Sequence, residues 1–228
     1  MNDSSKLLLL SGGMDSTTCL WWMDAQLSCP IHTLCVDYRQ RHRCEIAAAA
    51  ATAARARVES HTLVELDLAA LGSSLLTDGT VDVPHASEDQ QSATVVPFRN
   101  HFFVSLAAAH AHSLGVSEVY IAPVRDDYNA YRDCRREFYD SLEKTLLLGG
   151  PVGHSIRIHT PFVNKWKREV IALGLELGVP YELTHTCYNG SRPACGRCDA
   201  CVERIEAFRA NGVTDPLAYD ADPGWDDL

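Results

Sequence analysis

Lys6-Leu7-Leu8-Leu9-Leu10-Ser11-Gly12-Gly13-Met14-Asp15-Ser16 decides the fold of this chain. An apolar run ends in a serine and two glycines, and Ser16 to Gln26 then carries apolar residues suited to a helix, so a buried strand hands over to a helix through a glycine loop. Gly12 and Gly13 permit dihedrals that side chains forbid, and they let main-chain N–H groups approach a phosphate at a helix N-terminus. Ser11 and Ser16 add hydroxyl donors. Asp15 would repel a phosphate directly, so its roles are to cap or brace the loop, or to hold Mg²⁺ against a polyphosphate. The Gly-x-x-x-x-Gly-Lys-Ser/Thr pattern of kinases and GTPases is absent, which disfavours γ-phosphoryl transfer and points to attack at the α-phosphate of ATP.

Working outward, the alternation continues. Ile31 to Val36 reads as a second buried strand, alanine-rich Cys44 to Ala56 as a helix, and Val58 to Leu66 as a third strand. Asn100 to Leu114 has a helical pattern, Glu118 to Ala122 a strand pattern, and Arg135 to Leu148 a helical one again. Ser155 to Thr160 is a strand candidate before Pro161, and Lys165 to Leu177 is an amphipathic helix stopped by Gly178 and Pro180. Strands separated by helices predict an α/β fold, a Rossmann-like parallel sheet with helices on both faces. Two stretches fall outside this rhythm. Leu75 to Ser92 is polar and without period, which suits a long functional loop or a disordered one. Asp215 to Leu228 carries five aspartates, two prolines and few apolar groups, and reads as a solvated, flexible tail.

The 228 residues allow one substantial core. No run of about 18 apolar residues suggests a membrane span, and Met1 to Lys6 lacks the basic start of a signal segment. A soluble, cytoplasmic protein is expected. A formal net charge of −10 offers polynucleotides no general attraction, so nucleic acid is not an expected partner.

Nine cysteines, an odd number, argue against a disulfide scaffold. Cys19, Cys29, Cys35, Cys44 and Cys134 are dispersed and suit small buried apolar positions. Cys187, Cys195, Cys198 and Cys201 are clustered as Cys-x7-Cys-x2-Cys-x2-Cys, a spacing that brings four thiolates within reach of one tetrahedral Zn²⁺. Gly190, Pro193 and Gly196 supply the turns. A structural zinc would fold this knuckle, too short for a core of its own, although an iron–sulfur cluster also accepts four thiolates.

The loop resembles the signature of the N-type ATP pyrophosphatases, a group that includes GMP and NAD synthetases. Over nearly the whole chain the sequence is similar to one family within it, the 7-cyano-7-deazaguanine synthases, or QueC. The likeness rests on Leu10 to Cys19, Asp37-Tyr38-Arg39-Gln40-Arg41-His42, Val96-Pro97-Phe98-Arg99-Asn100, Tyr131-Arg132-Asp133-Cys134-Arg135, Leu173 to Thr184, and the cysteine knuckle. The resemblance implies an ATP-pyrophosphatase-type domain over residues 1–184, a zinc knuckle with its helix over 185–212 and an acidic tail over 213–228. It further implies a homodimer and an ATP-driven conversion of 7-carboxy-7-deazaguanine and ammonia to a nitrile in queuosine-precursor synthesis. Ser11, Gly12, Gly13, Asp15 and Ser16 then hold the nucleotide with Mg²⁺. Lys167 matches the family's late-helix lysine and reaches the phosphate, its alternative being a solvated helix lysine. Asp37 ends the second strand where adenosine would lie. Arg99, Asn100, Tyr131, Asp133 and Arg135 are the expected contacts to the deazaguanine acid: a guanidinium suits its carboxylate, a tyrosine its ring and Asp133 its N–H edge. His42 and His101 are acid–base candidates or core histidines.

Six positions depart from the family pattern. Arg39, Ala122 and Ala130 stand for glycines, Phe98 for a small residue, Val124 for an asparagine and Arg132 for a proline. Changes of this kind beside a pocket raise a second reading, a paralogue that activates the same acid but stops at an amide or joins it to a protein amine. A tRNA-thiolating enzyme of the same loop class is disfavoured by the acidic balance, and a zinc adaptor without activity would have no use for the loop.

Overall fold

The computed structural model describes residues 5–225 apart from 73, 81, 84, 87–92 and 130. Five strands form one sheet: β1 (Lys6–Leu9), β2 (Ile31–Asp37), β3 (Ser60–Glu65), β4 (Glu118–Tyr120) and β5 (Arg157–His159). Their order is β3-β2-β1-β4-β5 and every pairing is parallel, with Leu8 opposite Thr33 on one side and Tyr120 on the other. Among the described residues six α-helices connect and cover them: α1 (Met14–Leu27), α2 (Cys44–Ala56), α3 (Arg99–Leu114), α4 (Arg136–Gly149), α5 (Lys167–Glu176) and α6 (Asp199–Arg209). The order in which strands are added reverses at β1, so the crevice beyond the strand ends opens where β1 parts from β4.

Successive side chains of a strand point to opposite faces, and the core follows that rule. Leu8 packs with Leu20, Met23, Ala49, Ala53 and Val170 from α1, α2 and α5. Its neighbour Leu7 packs with Val104, Ala107, Ala111 and Tyr139 from α3 and α4. Both leucines are fully buried, and truncating either to alanine costs about 2–5 kcal/mol. The alanines of α2 allow this helix to lie unusually close to the glycine loop, as described below.

The alternating pattern foreseen in the sequence is present. Strand ends are shorter than expected because pairing stops before the apolar pattern does: β4 ends at Tyr120, two residues before Ala122. Helix α5 starts at Lys167 rather than Lys165, where the Trp166 N–H donates to Glu169 Oε2 at 2.7 Å and fixes the first turn. Of the long loop from Leu75 to Ser92, several positions lie outside the described residues. Its first part turns back on itself, with Leu75 and Leu76 buried.

The solvated tail requires correction. Asp215 is buried and receives both Nε and Nη2 of the fully buried Arg204, and Tyr219 donates its hydroxyl to the same carboxylate. Leu217 and Tyr219 pack on the cysteine cluster and Trp225 on the Phe208 cluster. Composition alone missed this because one buried ion pair, satisfied by several hydrogen bonds, anchors a segment that looks polar. No helix among the described residues is long and apolar enough to cross a membrane.

Candidate functional site

The loop between β1 and α1 is shaped by Gly12. Its φ is +87°, and a Cβ there would lie 2.1 Å from the Glu45 carbonyl oxygen and 2.6 Å from the Ala49 nitrogen. No side chain fits. The Gly12 carbonyl accepts the His185 N–H at 3.0 Å, which ties the chain before the cysteine knuckle to the loop. The Ser11 and Ser16 hydroxyls lie 3.0 Å apart, and Ser16 Oγ also accepts the Ser11 N–H. Gly13 caps α1 with no side-chain hydrogen bond, which leaves the first N–H groups of the helix directed at an incoming anion. Asp15 therefore does not cap the helix.

What Asp15 does is set by its neighbours. Its Oδ2 lies 4.0 Å from Lys167 Nζ, and its buried Oδ1 has no hydrogen-bond partner. Lys167 is buried at the start of α5; its Nζ donates to Glu203 Oε2 of α6 at 2.5 Å, and its N–H donates to Asp126 Oδ2 at 2.7 Å. Asp126 and Asp127 belong to a 3-10 turn, Arg125–Tyr128, just beyond β4. Burial pushes the Asp15 carboxyl up to about 7, against the pull of Lys167, and raises Asp127 as well. Burial alone would lower Lys167, but Glu203, Asp15 and Asp127 more than offset it and keep it protonated. Three carboxyl groups, Glu203, Asp15 and Asp127, thus share one ammonium while Asp126 holds the backbone N–H of the same lysine, and the unpartnered Oδ1 of Asp15 fits a divalent cation arriving with a polyphosphate.

At the other end of the same cavity, of about 290 Å³, the walls are aromatic. Tyr38, Phe103, Tyr131 and Tyr188 line it with Arg99 and Asn100. The Arg99 guanidinium lies 6.0 Å from the Tyr38 ring centre and 5.7 Å from that of Tyr131, and no ion pair to a carboxylate is formed among the described residues. Asn100 donates Nδ2 to the Asp133 carbonyl at 3.2 Å. Between the two ends stands Glu45, whose Oε1 accepts Gln40 Nε2 at 2.8 Å and whose carboxyl is raised to about 8 by burial. His42 is buried against Tyr38 and Tyr188, and desolvation lowers it to about 3, so it is a neutral core histidine that touches the cavity. His101 packs between Phe98 and Phe138 and does not line it.

Of the residues singled out in the sequence, Ser11, Gly13, Asp15, Ser16, Lys167, Arg99, Asn100 and Tyr131 meet in this cavity. Gly12 shapes it from behind. Asp37, Asp133 and Arg135 do not line it. Asp37 is buried at the end of β2, where it accepts the Arg39 N–H and pairs with Arg43. Asp133 lies half-buried in the turn Arg132–Cys134, and exposed Arg135 donates to the Tyr128 carbonyl at 2.9 Å. Sequence reasoning missed Glu45, Asp126, Asp127, His185 and Glu203. Carboxylates following the ends of β2 and β4 were the available signal, because ligands of parallel sheets collect at the carboxyl ends of the strands.

The departures from the family pattern fall mostly elsewhere. Arg39 and Phe98 both adopt positive φ, 66° and 59°, the conformation in which a glycine or small residue is easiest, and both side chains are exposed. Arg132 is exposed, Val124 is buried in the core, and Ala130 lies outside the described residues. Ala122 alone of the described ones lines the cavity.

The four clustered cysteines are buried, and their sulfurs all lie within 4.8 Å of one another. Cys195 and Cys201 Sγ are 3.9 Å apart, close to the edge of about 3.8 Å that a tetrahedron with Zn–S bonds of about 2.3 Å requires. The Cys195 N–H points at Cys187 Sγ and the Cys198 N–H at Cys195 Sγ, the second contacts that stabilise thiolates around a metal. The donor set fits a metal ion.

Fold and site together define a Rossmann-like α/β protein of the pyrophosphate-loop class, with a small four-cysteine lobe. The solved structure of NMN synthetase from Francisella tularensis shares the fold, with a TM-score of 0.51 at 14% identity over 93% of this chain and 78% of that one. Within the class, the model described as queuosine biosynthesis protein QueC matches residues 5–212, and the chain belongs to that family. A 7-cyano-7-deazaguanine synthase of Clostridium kluyveri is 43% identical, covering 93% of this chain and 96% of the relative. Another of the same name, from Pseudomonas fluorescens, is 40% identical over 96% of this chain and 100% of its own length.

Proposed function

We propose that the protein is a cytoplasmic ATP-dependent carbon–nitrogen ligase. It adenylylates 7-carboxy-7-deazaguanine and, with ammonia, converts it through an amide to 7-cyano-7-deazaguanine. The observation that carries this reading is the single cavity whose one end is a glycine loop beside Asp15 and Lys167 and whose other is an aromatic slot with a guanidinium that forms no carboxylate ion pair among the described residues.

The chemistry follows from the two ends. A carboxylate resists ammonia until one of its oxygens becomes part of a leaving group, and transfer of the adenylyl group provides that. Ammonia then displaces AMP to give the amide, and a second adenylylation, on the amide oxygen, permits loss of AMP and protons to leave the nitrile. Pyrophosphate departs into the N–H groups at the start of α1 and the hydroxyls of Ser11 and Ser16, with Lys167 offsetting its charge. A bound Mg²⁺ would screen the polyphosphate, and Asp15 with its unpartnered Oδ1 is the residue best placed to hold it. Arg99 would fix the substrate carboxylate, Asn100 would position it, and Tyr131 would stack on the bicyclic ring. Zinc on the four cysteines would be structural, and the resemblance carries with it a homodimer.

Incubating purified protein with ATP, the deazaguanine acid and ammonia, and weighing the products, tests the reading. Nitrile, AMP and pyrophosphate are expected. ADP in place of AMP would overturn the adenylylation, and an amide that accumulates without nitrile would move the protein to the amide-forming reading.

A further inference from the structure

Helix α6 carries more than the end of the cysteine knuckle. Cys198 stands at its N-terminal cap and Cys201 in its first turn, and two residues on Glu203 reaches across to Lys167, 2.5 Å from Nζ. Arg204, the next residue, is fully buried; besides its double contact with Asp215, it donates Nη1 to Thr184 Oγ1 at 2.6 Å. That side of α6 is therefore locked against the chain that runs beneath the glycine loop. Among the described residues Lys167 has one other carboxylate within ion-pair distance, Asp15, at 4.0 Å. Without Glu203 the ammonium would lose its 2.5 Å partner and be left to Asp15 in the first turn of α1.

We propose that Glu203 is a positioning residue: it fixes the Lys167 ammonium between α6 and Asp15 and keeps it from closing onto that carboxylate, and through α6 it makes that position depend on the folded state of the cysteine knuckle. The inference rests on the reading of Lys167 as a phosphate contact. Glu203 acts through the lysine rather than on the nucleotide, so its effects must disappear when the lysine is absent.

A double-mutant cycle measures this. Lys167→Met should lower kcat by about 100- to 1,000-fold, as loss of one fixed charge at a developing anion does. Glu203→Gln, which keeps size and shape at a partly exposed position, should lower kcat by about 5- to 20-fold and leave the Kd for ATP within about threefold, since it takes no ligand contact away. In the Lys167→Met background, Glu203→Gln should add less than about twofold. Additive losses, or a Glu203→Gln effect confined to ATP affinity or to the Mg²⁺ concentration needed, would overturn the inference. Full activity in Lys167→Met would instead overturn the reading of the lysine itself. A second measurement does not use turnover. Stripping the metal with a chelator should raise the rate at which a lysine-directed reagent labels Lys167, read by peptide mass, by at least about fivefold. An unchanged rate in metal-free protein would break the link between knuckle and lysine.

Discussion

The two ends of the cavity are built on opposite physical terms. Around Lys167 three carboxyl groups crowd one ammonium, and two of them, Asp15 and Asp127, are pushed toward neutrality by burial. Around Arg99 there are tyrosine faces and, among the described residues, no carboxylate ion pair. The first end is unbalanced until a cation and a polyanion arrive together. The second is balanced in shape and lacks only a negative charge. On the proposed function, such a division would let one site accept a nucleotide by charge and an organic acid by fit, so substitutions at the two ends should fail differently.

The sharpest break in that contrast is Asp15→Ala. It should lower kcat by about 100- to 1,000-fold with any acceptor and leave binding of the acid nearly unchanged, as single-turnover assays and calorimetry would show. An equal loss of acid binding would mean that the two ends are not separate. Next comes Arg99→Ala, which removes the one guanidinium at the aromatic end and should weaken the acid by about 1–3 kcal/mol, roughly 5- to 150-fold in Kd, with ATP affinity unmoved.

A smaller effect concerns stability. With its carboxyl raised to about 7, Asp15 in the folded protein retains a proton that the unfolded chain releases near pH 4. Between those values the folded state binds more protons, so this group lowers stability as pH rises through the window. Asp15→Asn should therefore raise the melting temperature of the ligand-free protein at pH 8 by about 2–6 °C and leave it unchanged at pH 4. The opposite order would mean that Lys167 already compensates Asp15. Smallest is Asp133→Ala: outside the cavity and half-buried in a turn, it should change acid affinity by less than about 0.5 kcal/mol. A tenfold loss would place the aromatic end nearer the Arg132–Cys134 turn than the cavity suggests.

The architecture was legible because two periods alternate cleanly, and the glycine loop because only a backbone without Cβ can pass under α2. Cysteine spacing gave the four-sulfur cluster for a similar reason, since a set of four sulfurs that could hold one ion leaves the chain little freedom. The substrate side was less legible. Asp133 and Arg135 share a short sequence run with Tyr131, yet the turn that points Tyr131 inward sends them out. Glu203 was hidden for the converse reason: it neighbours the cysteines in sequence, but its partner is a lysine 36 residues earlier, brought close by packing of α5 on α6. The tail misled because five aspartates outweigh one in any count, while the one that pairs with Arg204 decides the packing.

The strand order carries a consequence for the order in which the molecule is made. β1, the centre of the sheet, leaves the ribosome before both of its neighbours, and β2 and β3 can join it on one side while the second half is still being translated. Lys167 and Glu203 emerge more than a hundred residues after the glycine loop. A nascent chain thus carries the glycine loop for most of its synthesis without Lys167, and α6, the last α-helix among the described residues, is the one that brings that lysine its 2.5 Å partner.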